Sequence, residues 1–126
     1  MLPILTPYLE IDRTKKIAQV IPCDAAVEIN DLVYLAGGEV KQASNSSALT
    51  MPVIGVVEEK LTSTSCRVVS SGWMDCPGVV AGMLYYAGVS LGSFTNIEPI
   101  SPALKQVVFV AQTNSTILVA CDLTFA

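Results

Sequence analysis

No stretch of ten or more residues in this chain carries a convincing helical period outside residues 9–20. Even there, Leu9, Ile11, Ile17 and Val20 fit a 3.6-residue repeat poorly. From Ala25 onward the apolar residues come in short runs, cut at near-regular intervals by glycine, proline or a polar cluster, which is the pattern of strands and turns. Val27 to Leu35 begins with alternation and ends apolar, Gly37-Gly38 makes a turn, and Glu39 to Ala43 returns. Ser44 to Ser47 reads as a polar loop. Pro52 to Glu59 reads as a buried strand in which Gly55 marks a bulge or a close backbone approach. Leu61 to Ser65 turns, Cys66 to Ser71 returns, and Trp73 to Gly78 is loop-like.

The last third repeats this grammar about 52 residues later. L-Y-Y-A (Leu84 to Ala87) echoes L-V-Y-L (Leu32 to Leu35), V-V-F-V-A (Val107 to Ala111) echoes V-I-G-V-V (Val53 to Val57), and I-L-V-A (Ile117 to Ala120) echoes C-R-V-V (Cys66 to Val69). Two copies are too few for a solenoid. The expected fold is therefore all-β, a small barrel or sandwich made of two similar hairpin-rich halves.

Residues 1–24 differ from the rest. Pro3, Pro7 and Pro22 interrupt Leu2, Ile4, Leu5, Tyr8 and Leu9, and the basic residues Arg13, Lys15 and Lys16 collect here. Proline fixes φ and removes a donor, so the segment is extended. It reads either as an arm lying on another surface or as a first edge strand with a lead-in. The expected organisation is an extended N-terminal arm over 1–24 and a single β domain over 25–126.

Composition narrows function. There is no histidine, so Ser-His-Asp and Cys-His sites, His-ligated zinc and the ordinary neutral-pH proton shuttle are unavailable. Glu58 and Glu59 are adjacent on a strand and so point to opposite faces, which suits a solvated strand end rather than a glycosidase pair. Asp24, Glu28 and Asp31 form too sparse an oxygen set for a calcium loop. Ser101 and Lys105 lie in a proline-bearing loop, and no glycine run is followed by the Lys-Ser or Lys-Thr of a phosphate loop. The expectation is a protein that is not an enzyme and uses no cofactor or metal. A net charge of −4, with only Lys15-Lys16 adjacent among the basic residues, argues against a nucleic-acid partner. The charge-free stretch from Cys76 to Ile97 is too rich in glycine to read as a membrane span, so no membrane partner is expected.

Of the cysteines, Cys66 and Cys121 sit in apolar runs and read as buried reduced thiols. Cys23 and Cys76 adjoin prolines in turn-like sequence and read as more accessible. Only 14% of the residues are charged while 52% are apolar, and apolar residues persist through segments that should be loops. That sparse coat predicts association. Adjacent strand residues alternate faces, so Tyr85-Tyr86 should put one ring outward into an interface. Trp73, in its expected loop, is the other candidate for a subunit contact.

The order D-L-V-Y-L-A-G-G-E-V-K-Q-A (Asp31 to Ala43), M-P-V-I-G-V-V (Met51 to Val57) and T-S-C-R-V-V-S-S-G (Thr64 to Gly72) resembles small structural modules of tailed bacteriophages. So does G-M-L-Y-Y-A-G (Gly82 to Gly88) followed by Q-V-V-F-V-A (Gln106 to Ala111) and S-T-I-L-V-A (Ser115 to Ala120). These modules are head decoration (cement) proteins, head-fibre proteins and the β modules of tail fibres. The resemblance implies a non-enzymatic virion protein on the capsid surface, made in the host cytoplasm. It further implies a homotrimer bound to the major capsid protein, with Leu2, Ile4, Leu5, Tyr8, Arg13, Lys15 and Lys16 of the arm as contacts. The alternative it leaves open is a receptor- or glycan-binding module of a tail fibre.

Overall fold

The computed structural model describes residues 16–121 and Leu123. Among them lie nine strands: β1 (Lys16–Pro22), β2 (Leu32–Ala36), β3 (Glu39–Gln42), β4 (Val53–Thr62), β5 (Ser65–Asp75), β6 (Leu84–Ala87), β7 (Phe94–Thr95), β8 (Val107–Ala111) and β9 (Thr116–Ala120). A short 3-10 turn, Ala48–Thr50, is the only helical element described. Every strand pairing is antiparallel, in the order β3-β2-β4-β5-β9-β8-β6-β7, with β1 added against β5. The fold is all-β, a curled half-barrel, as the alternation and punctuation predict.

That order reads the same from either end. β2 pairs β3 and β4, and β4 pairs β5. In the second half β6 pairs β7 and β8, and β8 pairs β9. The registers agree residue for residue: Leu32, Val33 and Tyr34 face Val56, Gly55 and Val53, while Leu84, Tyr85 and Tyr86 face Val110, Phe109 and Val107. Both ladders slip at the same step, Val33/Tyr34 and Tyr85/Tyr86. The strand entries match as well. Asn30 N–H donates to Val57 O (2.8 Å) and Val57 N–H to Asp31 O (3.0 Å), mirrored by Gly82 to Ala111 O (2.7 Å) and Ala111 to Met83 O (3.0 Å). Asn30 and Gly82 even share the left-handed backbone, with φ of 70° and 83°.

β5 joins the halves. β1 and β4 both pair with Cys66 to Val69, so they flank opposite edges of β5. β9 pairs with Ser71 and Gly72, which β1 also pairs, so β9 follows β4 along the same edge. The two wings thus leave one edge of β5 and curl over a common core that includes Leu32, Val53, Val56, Val69, Tyr85, Val108, Phe109, Ile117 and Val119. Gly92 closes the curl: Leu32 N–H donates to its carbonyl (3.0 Å) and its own N–H donates to Ala43 O (2.8 Å). A second, smaller core of Cys23, Val27, Val33, Val40, Val57, Cys66 and Val68 lies where the chain after β1 meets β3 through a parallel Cys23–Val40 bridge.

Of the 1–24 segment, Lys16–Pro22 is a strand along β5, and residues 1–15 lie outside the described residues. Several local expectations are corrected. Trp73 is not in a loop: β5 runs on to Asp75, because β9 supplies partners there and places Leu118 opposite Trp73. Cys23 and Cys76 are not accessible; both are buried, since their flanking prolines turn the chain over the cores rather than away from them.

Candidate association surface

A cleft of about 430 Å³ opens at the end of the molecule where the two wings meet. The loop from Gly88 to Ser93 and the loop from Asn96 to Leu104 wall it. Its lining is mostly apolar: Val89, Phe94, Ile97, Pro99, Ile100 and Ala103. Ile97 and Ile100 are 74% and 81% exposed, and Val89 and Leu91 are also solvent-facing. Clustered exposed aliphatic side chains on a small domain mark an interaction site, whereas scattered ones do not.

Asn45 holds these loops in place. Its N–H donates to Gly88 O (3.0 Å), its carbonyl accepts from Leu104 N–H (2.8 Å), and its Nδ2 donates to Ala87 O (2.9 Å). Ser44 Oγ adds a bond to Val89 O (2.7 Å), and Ser93 Oγ one to Ser90 O (2.7 Å). The loop from Gly88 to Ser93 is tied at several points and the second loop at its Leu104 end, which lowers the entropy a partner must remove. Glu98, the carboxylate of the cleft, is paired with Lys105 at 3.2 Å.

The residues expected to make contacts are distributed differently. Leu2, Ile4, Leu5, Tyr8, Arg13 and Lys15 lie outside the described residues. Lys16 and Trp73 come together, with Glu58, Asp75 and Thr116, around a polar cleft of about 310 Å³. There Lys16 Nζ is hydrogen-bonded to Glu58, so its charge is locally balanced. Trp73 is half-buried.

Tyr85 and Tyr86 correct the expectation of an outward ring. Both are buried: Tyr85 joins the main core beside Ala87, and Tyr86, which lies outside that cluster, is covered as well. Tyr85 stacks on Phe109 at 4.9 Å, meets Phe94 edge-on at 5.5 Å, and its hydroxyl accepts from Val80 N–H at 2.8 Å. Neither tyrosine has surface left to offer a subunit.

The carboxylates weighed above as candidate sites are occupied with structure. Glu58 and Glu59 diverge, as their adjacency predicts, one to Lys16 and the other to Arg67 (2.5 Å). Asp24 Oδ1 accepts from Ala26 N–H (2.9 Å), and Asp31 Oδ2 from Glu28 N–H (2.8 Å) and Gln42 Nε2 (2.9 Å). Burial raises the Asp31 pKa above its ordinary value; the bonds to Gln42 and Glu28 pull it back, the Glu28 charge raises it, and Lys60 lowers it. Among the described residues no group of three or more His, Cys, Asp or Glu gathers as a metal cage. No described helix is long and apolar enough to cross a membrane.

The cleft residues were the ones sequence reasoning missed individually. The signal for them was there in general form, as aliphatic residues persisting through proline- and serine-bearing loops. No family model matches this chain, and neither a curated protein nor a solved structure matches it.

Proposed function

We propose that this chain is a non-enzymatic structural protein of a tailed-phage virion, which associates with itself and binds the outside of the capsid to stabilise the shell. The observation that carries the reading is the apolar cleft with Ile97 and Ile100 presented to solvent, in a chain whose sequence is short of charge. Copies meet through this end, as trimers, and the major capsid protein is met by the N-terminal segment. Because Lys16 is engaged with Glu58, that contact falls to Leu2, Ile4, Leu5, Tyr8, Arg13 and Lys15. The role is mechanical: apolar burial between copies and across capsid subunits resists expansion of the filled shell.

The glycan-binding alternative calls for an open aromatic cluster at Trp73, Tyr85 and Phe94. Tyr85 is packed inside against Phe109, which counts against it.

Light scattering of the purified chain at micromolar concentration is the first test, with a trimer mass expected. Ile97→Asp combined with Ile100→Asp should give a monomer of unchanged melting temperature, since both side chains are exposed. Capsids of the encoding phage, stripped of surface proteins, should regain heat resistance when the chain is added. A monomeric native chain that leaves those capsids no more resistant overturns the proposal.

A further inference from the structure

Two of the four cysteines meet. Ile21 of β1 faces Cys66 of β5, and one step beyond Pro22 the Cys23 N–H donates to Thr64 O at 2.9 Å. Side chains two residues apart on an extended chain share a face, so Cys23 projects to the same side as Ile21 and Cys66, diagonally across the strand pair. Both cysteines are at most 1% exposed and belong to the same small core. Diagonal neighbours on an antiparallel pair lie about 7–8 Å apart, so bringing these two sulfurs to bonding distance takes a local shift of the chain at the end of β1. Cys76 and Cys121 belong to the other core and are free thiols, as are Cys23 and Cys66.

We propose that Cys23 and Cys66 form a redox latch, a disulfide-forming pair whose oxidation by a low-molecular-weight disulfide fixes β1 to β5. β1 is the element built to move. It is the least covered strand, with Ile17 and Val20 62% and 56% exposed, and its ladder is to β5 alone. While β1 is docked both thiols are shielded. Burial, and after it the neighbouring Cys23, pushes the Cys66 thiol up to about 12, against a weaker opposing pull from Lys60. The docked form therefore does not react, because the thiolate is the nucleophile. Cys23 is held by Thr64 O and by the bridge to Val40, so both thiols are uncovered when β1 lifts together with the Cys23 segment.

The chemistry is then thiol–disulfide exchange with oxidised glutathione or a similar disulfide. The Cys23 thiolate attacks one glutathione sulfur, the glutathione S–S bond breaks, and one glutathione thiolate leaves and takes up the proton that Cys23 released. The Cys66 thiolate next attacks the Cys23 sulfur of the mixed disulfide and expels the second glutathione, which takes the proton from Cys66. Two protein thiols are oxidised and one small disulfide is reduced to two thiols. The product closes the chain from residue 23 to residue 66 and prevents β1 from lifting. Everything N-terminal to Cys23 is thereby tied to the domain at a fixed root. The inference does not depend on the capsid reading.

The test uses the full chain equilibrated in graded mixtures of oxidised and reduced glutathione. The expected result is a mass loss of about 2 Da, for the two hydrogens removed in making one disulfide. Titratable thiols should fall from four to two, and peptide mapping should join Cys23 to Cys66. The melting temperature should rise by about 10 °C, from the entropy removed by closing so long a loop. Hydrogen exchange along β1 should slow. Cys23→Ala and Cys66→Ala should each abolish the crosslink, while Cys76→Ala and Cys121→Ala retain it. If one core variant fails to fold, the other and the peptide map of the native chain still decide. Four thiols persisting at full oxidant, a glutathione adduct that never resolves, or a crosslink through another pair would each overturn the latch.

Discussion

Gln106 stands in for a strand partner of Val53. Its Oε1 accepts from the Val53 N–H at 2.7 Å and its Nε2 donates to the Val53 carbonyl at 2.8 Å, so one side-chain amide satisfies both main-chain groups at the start of β4. Gln106 is 1% exposed and immediately precedes β8, so the bond pair fastens the first wing to the second. Gln106→Leu should leave a buried donor and a buried acceptor unpaired. The expected cost is about 2–6 kcal/mol, taking roughly 1–3 kcal/mol for each orphaned group. Urea denaturation should show the lower midpoint with an unchanged slope. A native midpoint would mean that water replaces the amide.

Why that bond pair escaped the sequence is instructive. Alternation, glycine turns and proline breaks are local signals, so the all-β class, the Gly37-Gly38 hairpin and the repeat at about 52 residues could all be read directly. Gln106 finds its partners far away in the chain, and no short window contains both. Tyr85 and Tyr86 failed for a related reason: alternation assigns each ring a face of β6, but whether distant parts of the chain cover that face is not written in β6 itself. Trp73 reads as the start of a loop, yet Gly72 just before it, with φ of 114°, sits inside β5, held there by β1 and β9 together. The association cleft was legible only as a surplus of aliphatic loop residues, since its shape depends on Asn45 reaching across to the second wing.

Gly55 repays a direct comparison with its counterpart. The equivalent position in the second half carries Phe109, whose ring packs in the core. At Gly55 even a methyl group would come within 2.6 Å of the Val69 carbonyl oxygen and 2.5 Å of Val68 Cγ1. The obstacle includes backbone, so it cannot swing aside. Gly55→Ala should lower stability by about 1–3 kcal/mol through overpacking. A thermal melt checks it, and an unchanged midpoint would show that β4 and β5 separate freely here.

Tyr85 offers a clean separation of structure from association. Tyr85→Phe removes only the hydroxyl that accepts from Val80 N–H, at an expected cost of about 1–2 kcal/mol. Tyr85→Ala also removes the ring between Phe94 and Phe109 and should cost about 3–5 kcal/mol. Neither the ring nor the hydroxyl reaches solvent, so the Phe variant should keep the native solution mass. Dissociation by Tyr85→Phe at a temperature well below its melt would put this ring back in an interface.

Asp31 makes a pH prediction whose sign runs against that of an ion-paired carboxylate. Burial is the largest influence on it and raises its pKa above 3.8, although Gln42 and the Glu28 N–H both donate to Oδ2. The folded chain therefore holds this proton to a higher pH than the unfolded chain does. The stability Asp31 contributes is complete below the unfolded pKa and is lost as pH rises through the folded one. Asp31→Asn keeps a carbonyl oxygen for the same two donors and carries no charge to desolvate. The variant should match the native protein near pH 3 and exceed it at pH 7, with the gap opening across the acid range. Comparing the two proteins at each pH cancels the contribution of the other carboxylates, which both share. An Asn variant less stable than the native chain at pH 7 would mean that the charged hydrogen bonds outweigh the burial.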